Sequence, residues 1–101
     1  MKFISVWEFK HEDTAKVIER WTERLKLEGN PDFPKAIYGP FTFYTPLLPR
    51  DTVQGFTMYE SDSVEKFQAL SSFYSPLLKM QFIPVLENTI GAPIFAKWAR
   101  K

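Results

Sequence analysis

Cysteine is absent from this chain of 101 residues, and histidine occurs only once, as His11. Without cysteine the protein forms neither disulfides nor thiolate metal sites. A single histidine also excludes a histidine-rich metal site within one chain, so we expect no metal and no bound cofactor. Glycine occurs only four times and forms neither a phosphate-binding loop nor a Gly-x-Ser-x-Gly nucleophile elbow.

An excess of charge of one sign is also missing. Thirteen basic residues face twelve acidic ones, which leaves a net charge of +1 and no electrostatic footprint for nucleic acid. No apolar run is long enough to span a membrane, and Glu8 and Lys10 interrupt the one that follows Met1. We therefore expect a cytoplasmic protein with neither a nucleic-acid nor a membrane partner.

Aromatic side chains, in contrast, are abundant. Ten Phe, four Tyr and three Trp make up 17% of the chain. Aromatic residues bury large areas and are enriched at protein interfaces. A small domain has difficulty hiding seventeen of them in its own core, so the surplus predicts either a dimer interface or an aromatic-lined pocket.

An extended run followed by an amphipathic helix occurs twice, at Lys2–Leu27 and at Thr52–Phe73. Each copy is flanked by a further extended segment, which gives the order β-α-β-β-α-β. This order predicts an α+β, ferredoxin-like fold with a four-stranded antiparallel sheet and two helices on one face. The length predicts one domain over residues 1–101, with a C-terminal extension at about 89–101.

The first half-repeat begins with an alternating strand, Lys2–Lys10, which is apolar on both sides and therefore expected at the centre of the sheet. Asp13 is the predicted cap of the first helix. The predicted inward stripe of that helix consists of Ala15, Val17, Ile18, Trp21 and Leu25. The predicted solvent face carries Lys16, Glu19, Arg20, Glu23 and Arg24.

The second half-repeat follows a proline-rich segment, 29–51, in which Ala36–Thr45 favours a strand. Gly39-Pro40 inside that strand predicts a bulge or an edge position. Asp62 and Glu65 predict a capping box for the second helix. The predicted inward stripe of this helix consists of Val64, Phe67, Leu70, Ser71 and Tyr74. Lys79–Asn88 is interpreted as a final strand, at an edge because it contains Pro84.

Two stretches carry a resemblance to a known superfamily. Gly55-Phe56-Thr57-Met58-Tyr59-Glu60-Ser61-Asp62-Ser63 resembles the third strand and second-helix start of the dimeric α/β-barrel superfamily. Tyr74–Leu86 resembles the fourth-strand region of an uncharacterised small-domain family within it. The resemblance implies a ferredoxin-like protomer whose sheet meets that of a second copy across a two-fold axis. Relatives include muconolactone isomerases, cofactor-free monooxygenases and haem-degrading enzymes, so the fold does not imply one function.

The sequence supports a homodimer independently of that resemblance. Two helices cover only one face of a four-stranded sheet, and either Trp7 and Phe9 or Ile4 and Val6 then occupy the open face. Open apolar sheet faces are buried by a partner. We expect a homodimer with an interface of about 1,600 Å² or more.

The candidate catalytic residues are His11 and Glu60. His11 follows the first strand, where an imidazole can transfer protons near neutral pH. Glu60 ends the third strand, at the mouth of any pocket there. An exposed loop histidine and simple helix N-terminal electrostatics are the plainer alternatives for these two residues.

The candidate ligand-binding residues are six aromatic side chains expected near a space between sheet and helices: Trp7, Trp21, Tyr38, Phe43, Tyr59 and Phe67. The tyrosines would supply hydrogen bonds to a polar group of the ligand. An ordinary close-packed core is the alternative.

Three functions remain open at this level. The first is a homodimer that binds a small apolar or aromatic molecule between sheet and helices. The second is a cofactor-free isomerase or monooxygenase-like enzyme, and the third is a structural dimer without ligand. A position of His11 inside a closed cavity would favour the enzyme. A lack of space between sheet and helices would leave only the structural dimer.

Overall fold

The computed structural model describes residues 1–43, 50–87, 93–94 and 96–99. In chain order the elements are strand β1 (Lys2–Lys10), a 3₁₀ turn (His11–Asp13), helix α1 (Thr14–Lys26), β2 (Lys35–Thr42), β3 (Thr52–Glu60), α2 (Glu65–Tyr74) and β4 (Lys79–Val85). The chain is thus α+β; the described residues include these four strands, two helices and one helical turn, and residues 93–94 and 96–98 are also helical. Within the described residues, no helix has the length and apolar composition needed to cross a membrane.

The four strands form one antiparallel sheet in the order β2-β3-β1-β4. β1 lies between β3 and β4, which confirms the central position predicted from its two apolar sides. β4 lies at an edge, where the missing N–H of Pro84 costs no ladder hydrogen bond to a further strand. β2 is the other edge, and its pairing with β3 shifts register on both sides of Tyr38. The bulge predicted at Gly39-Pro40 is therefore confirmed.

The register assigns side chains to two faces of the sheet, because residues paired across an antiparallel ladder point the same way. Phe3, Ser5 and Trp7 of β1 pair with Tyr59, Thr57 and Gly55 of β3, and all six are buried. This is the helix face. The core there consists of Phe3, Tyr59, Phe67, Leu70 and Tyr74, with the Phe67 ring 4.5 Å from that of Phe3.

The opposite side is the open face. Its apolar positions on β3, β1 and β4 are paired across these strands and are Ile4, Val6, Phe56, Met58 and Ile83. Tyr38 and Phe41 extend it onto β2, where Phe41 lies 5.3 Å from the Phe56 ring. Neither α1 nor α2 packs on these residues, because both helices lie on the opposite face. Of the two alternatives left open by the sequence, Ile4 and Val6 occupy this face, and Trp7 occupies the other.

The helix starts differ from the predicted caps. Asp13 precedes α1 as expected, yet its side chain makes no cap hydrogen bond; Thr14 Oγ1 instead donates to the carbonyl oxygen of His11 at 2.6 Å. The prediction of a capping box formed by Asp62 and Glu65 is wrong. Asp62 pairs with Lys66 on the next turn, and Ser63 Oγ accepts a hydrogen bond from the Glu65 N–H. A local lysine thus competes for the carboxylate that was expected to cap.

The two helices contact the sheet to different extents. α2 buries Phe67, Leu70 and Tyr74, as its stripe predicts, although Val64 at its start is exposed. α1 buries only Val17 and Arg24. The burial predicted for the other four residues of the stripe is therefore wrong: Ala15, Ile18, Trp21 and Leu25 are exposed. The predicted solvent exposure of Arg24 is also wrong.

Candidate functional site

A cavity of about 360 Å³ lies between α1 and the helix face of the sheet. Ile18, Trp21 and Leu25 of α1 border it, and these side chains remain 53%, 40% and 48% exposed. An amphipathic helix normally presses such a stripe onto its sheet. Here the helix stands away from the strands, and the space between them is the cavity.

Trp7 lies on the sheet side of this cavity. Its indole N–H donates a 3.1 Å hydrogen bond to Thr57 Oγ1 on the neighbouring strand, which fixes the ring orientation. Gly55 allows this position, because a Cβ at residue 55 would stand 2.5 Å from two carbons of the indole. Residue 55, which is paired with Trp7 across the two strands, must therefore be glycine for the indole to lie over the sheet.

Polar side chains reach the cavity from four elements, of which β2 contributes Thr42. Thr57 and Tyr59 come from β3, Tyr74 from α2 and Arg24 from α1. The remaining lining is largely apolar or aromatic and includes Trp7, Phe9, Val17, Trp21, Leu78 and Met80. Few polar groups converging in an apolar concavity are typical of small-molecule sites.

The two tyrosines are held in their neutral form. Burial raises the pKa of Tyr59 above its ordinary value of 10.0, and the positive charge of Arg24 partly opposes the shift. Burial also raises the pKa of Tyr74. Both phenols are protonated at neutral pH, as tyrosines of ordinary pKa also are, and are able to donate hydrogen bonds to a ligand.

The structure divides the six candidate ligand-binding residues among three places. Trp7, Trp21 and Tyr59 line the cavity together. Phe67 lies in the core and borders a second depression, between α2 and β4, that Arg24 and the tyrosines do not reach. Tyr38 and Phe43 belong to the open face, since Tyr38 lies 4.7 Å from Phe41 and Phe43 stacks on Phe56.

The candidate catalytic residues lie away from the cavity. His11 is exposed in the 3₁₀ turn, where its backbone N–H donates to the carbonyl oxygen of Asp51 at 2.6 Å. Glu60 is exposed at the end of β3. Neither residue lines the cavity, and the structure does not bring the two together. In the described part of the chain, no three His, Asp or Glu side chains cluster as a metal site would require.

Arg24 is the residue that the sequence reasoning assigned to the wrong side. Only 8% of its surface is exposed, and its Nη2 donates to the carbonyl oxygen of Pro34 at 2.9 Å. A signal for this was present, because Arg24 lies seven residues after the buried Val17 and therefore on the same side of the helix. A charged side chain was expected outside because charged groups are rarely buried without a partner.

Comparisons with known proteins give one match. A family model described as a domain of unknown function, DUF3303, matches residues 1–98. No curated protein and no solved structure matches the chain. A match of this length covers the whole sheet, both helices and every residue of the cavity. The chain therefore belongs to the DUF3303 family of domains of unknown function.

Proposed function

We propose that this chain works as a homodimer of ferredoxin-like protomers and that each protomer binds a small apolar or aromatic molecule between α1 and the sheet. The observation that carries the proposal is the asymmetry of the sheet. One face bears both helices and the cavity, and the other bears apolar side chains that nothing in the chain's described part covers.

The cavity supports the binding part of the proposal. A volume of about 360 Å³ falls within the range of about 300–1,000 Å³ that small-molecule pockets occupy. Trp7 and Trp21 supply large flat surfaces on opposite sides of this space, one from the sheet and one from the helix. An aromatic molecule between them would complete the burial of Trp21, Ile18 and Leu25.

The element and strand orders support the fold part. The chain runs β-α-β-β-α-β, and the sheet order β2-β3-β1-β4 places both crossing helices on one side. This arrangement has the open face that dimeric α/β barrels close with a second copy, as the resemblance noted above implies.

The open face suits a second copy of this chain as its occupant. Four strands at about 4.8 Å spacing and seven to nine residues at about 3.3 Å rise outline roughly 500 Å². Two such faces, with the side chains standing on them, reach the ~1,200 Å² at which stable interfaces begin.

Charges at the ends of the open face are arranged for self-association. Lys2 opposes Glu60 at one end, and Glu8 opposes Lys79 at the other, with apolar positions between them. An apolar centre with a polar rim is the usual anatomy of a protein interface. Because both signs occur at both ends, a two-fold axis through the centre juxtaposes no block of like charge.

The other two functions, an enzyme and a structural dimer without ligand, have less support. An enzyme that uses His11 receives no support from its position in solvent outside the cavity. A purely structural dimer leaves the cavity and its converging polar groups without a role.

Ligand binding is tested with N-phenylnaphthylamine, a neutral aromatic probe whose fluorescence rises in apolar sites. We expect the probe to bind the wild-type protein and to bind Trp21→Ala at least about tenfold more weakly, because a large aromatic contact contributes about 1.4 kcal/mol or more. Trp21 is partly exposed, so its removal should leave the fold intact, which circular dichroism checks.

Trp98→Ala is the matched control, since Trp98 is exposed and does not line the cavity. Equal weakening by both substitutions would place the probe elsewhere. A wild-type protein that takes up no probe at all would contradict the binding part of the proposal.

A further inference from the structure

The Arg24 guanidinium is buried without a full set of partners. Nη2 donates to the Pro34 carbonyl, and the guanidinium carbon lies 4.9 Å from the centre of the Phe33 ring. Nε is buried and has no hydrogen-bond partner. Buried donors are nearly always satisfied in native proteins, so each exception requires an explanation.

No Asp or Glu side chain, all of which lie in the described ranges, forms an ion pair with this charge. The ion pairs of the described residues are Lys2–Glu87 and Lys66–Asp62, and neither includes Arg24. All twelve Asp and Glu residues fall within the described ranges, so no undescribed side chain supplies the missing carboxylate. Guanidinium groups do not lose their proton in proteins, and a buried cation without a counter-charge is costly.

The surroundings of Arg24 favour an anion in the cavity. Tyr59, Tyr74 and Thr57 line the same space, and all three carry hydroxyl groups that are able to donate. Burial raises the pKa of both phenols, which keeps them protonated beside an incoming negative charge. The one acidic lining residue, Glu28, is exposed and makes no ion pair with Arg24.

We infer that the molecule bound in this cavity carries an anionic oxygen group, such as a carboxylate, on an apolar or aromatic body, and that Arg24 binds the anion. This inference rests on the proposed function. The ring system of the ligand lies between Trp7 and Trp21, and the anionic group faces Arg24 and the tyrosine hydroxyls. The guanidinium thereby acquires the counter-charge that the chain itself does not provide.

Two probes with the same ring systems separate charge from apolar contact. Anilinonaphthalene sulfonate carries an anionic oxygen group, and N-phenylnaphthylamine lacks it. In Arg24→Met, we expect the sulfonate to bind about 10- to 100-fold more weakly, the range for a hydrogen bond to a charged group. We expect the affinity for the neutral probe to change less than about threefold.

Two variants serve as controls. Arg20→Met removes the same charge one turn earlier on α1, where Arg20 Nη1 binds the Phe73 carbonyl at 3.2 Å outside the cavity lining, and it should keep the wild-type affinity for both probes. Arg24→Lys keeps the positive charge and should retain more sulfonate binding than Arg24→Met. If Arg24→Met fails to fold, the sulfonate affinities of Arg24→Lys and Arg20→Met are compared instead. Weaker binding by Arg24→Lys alone then measures the contribution of the guanidinium.

A measurement on the wild-type protein needs no folded Arg24→Met. The Arg24 Nε–Hε signal in ¹⁵N NMR, assigned by its loss in Arg24→Lys, should shift on addition of the sulfonate and stay near its place on addition of the neutral probe. Equal effects of both probes, or equal weakening of both by Arg24→Met, would overturn the inference and leave the cavity as an apolar site. If neither probe binds, the proposed function fails as well.

Discussion

At the scale of single residues, two tyrosines of the cavity lining, Tyr59 and Tyr74, also belong to the hydrophobic core. Tyr59 and Tyr74 are buried phenols beside a buried guanidinium. Their positions suit ligand recognition, and they also impose a dependence of stability on pH, because burial favours the neutral phenol.

The raised pKa values of Tyr59 and Tyr74 predict a loss of stability in alkali. Unfolded tyrosine loses its proton near pH 10, whereas the folded side chains hold theirs to higher pH. Above about pH 10 the unfolded state therefore binds fewer protons, and the free energy of unfolding falls by up to about 1.4 kcal/mol per pH unit for each phenol. Urea unfolding from pH 8 to 11 measures this fall.

Tyr74→Phe should lose part of that alkaline slope while keeping its stability near neutral pH. The same slope in the variant and in the wild type would show that Tyr74 titrates alike in both states, contrary to its burial.

At the residue scale, the positions of some side chains could be predicted from the sequence, whereas their role in ligand binding stays a prediction. Trp7, Trp21 and Tyr59 were expected at a space between helices and sheet, and they line one. Arg24 was missed because hydropathy assigns arginine to solvent, and the unsatisfied Nε that draws attention to it is visible only in three dimensions. The positions of Tyr38 and Phe43 on the open face could not be predicted, because the bulge at Gly39-Pro40 shifts the register of β2 against β3.

At the scale of elements, the contrast between α1 and α2 is the main feature. α2 seals one half of the helix face with Phe67 and the fully buried Leu70. α1 leaves its apolar stripe half exposed above the cavity. The core of the protomer therefore lies under α2, and the site lies under α1.

This contrast predicts unequal costs of truncation. Leu70→Ala should lower the free energy of unfolding by about 2–5 kcal/mol, since it opens a hole in a packed core. Leu25→Ala, whose side chain borders a space that already exists, should cost less than about 1 kcal/mol. Urea denaturation of both variants provides the comparison. Similar losses would mean that α1 lies directly on the sheet and that the cavity is closed in solution.

The elements themselves were largely predictable. Alternation identified β1 and β3, and Pro84 indicated the edge position of β4. The start of α2 was not predictable in detail, because the Asp62 carboxylate has two local options, the helix N–H groups and Lys66, of similar small energy. The predicted strand over Ala36–Thr45 ends at Thr42 within the described residues, and most of the predicted extension at 89–101 lies outside them.

At the scale of the whole molecule, aromatic residues are divided between the two faces of the sheet. One group, with Phe3, Tyr59 and Phe67, packs with the helices. Another, with Phe41, Phe43 and Phe56, lies on the open face. The sequence predicted a surplus for a pocket or an interface; the first group borders the cavity side of the sheet, and burial of the second group in an interface stays a prediction. Which β1 residues face outward depended on the register with β3, which composition does not determine.

If two copies pair through their open faces, a single charged side chain introduced on that face should prevent their association. Ile83 lies there on an edge strand, cross-strand from Ile4, and is 42% exposed in the protomer. Ile83→Lys should therefore fold and yet be monomeric, because pairing two copies would bury an uncompensated ammonium group. Val64→Lys, at an exposed site beside α2, is the matched control and should keep the wild-type mass.

Sedimentation equilibrium of the unaltered 101-residue chain at micromolar concentration tests the central claim, the closure of the open face by a second copy, most directly. The account predicts a mass twice the 11.9 kDa of the chain. A mass of 11.9 kDa at every concentration, with the open face exposed to water, would contradict it.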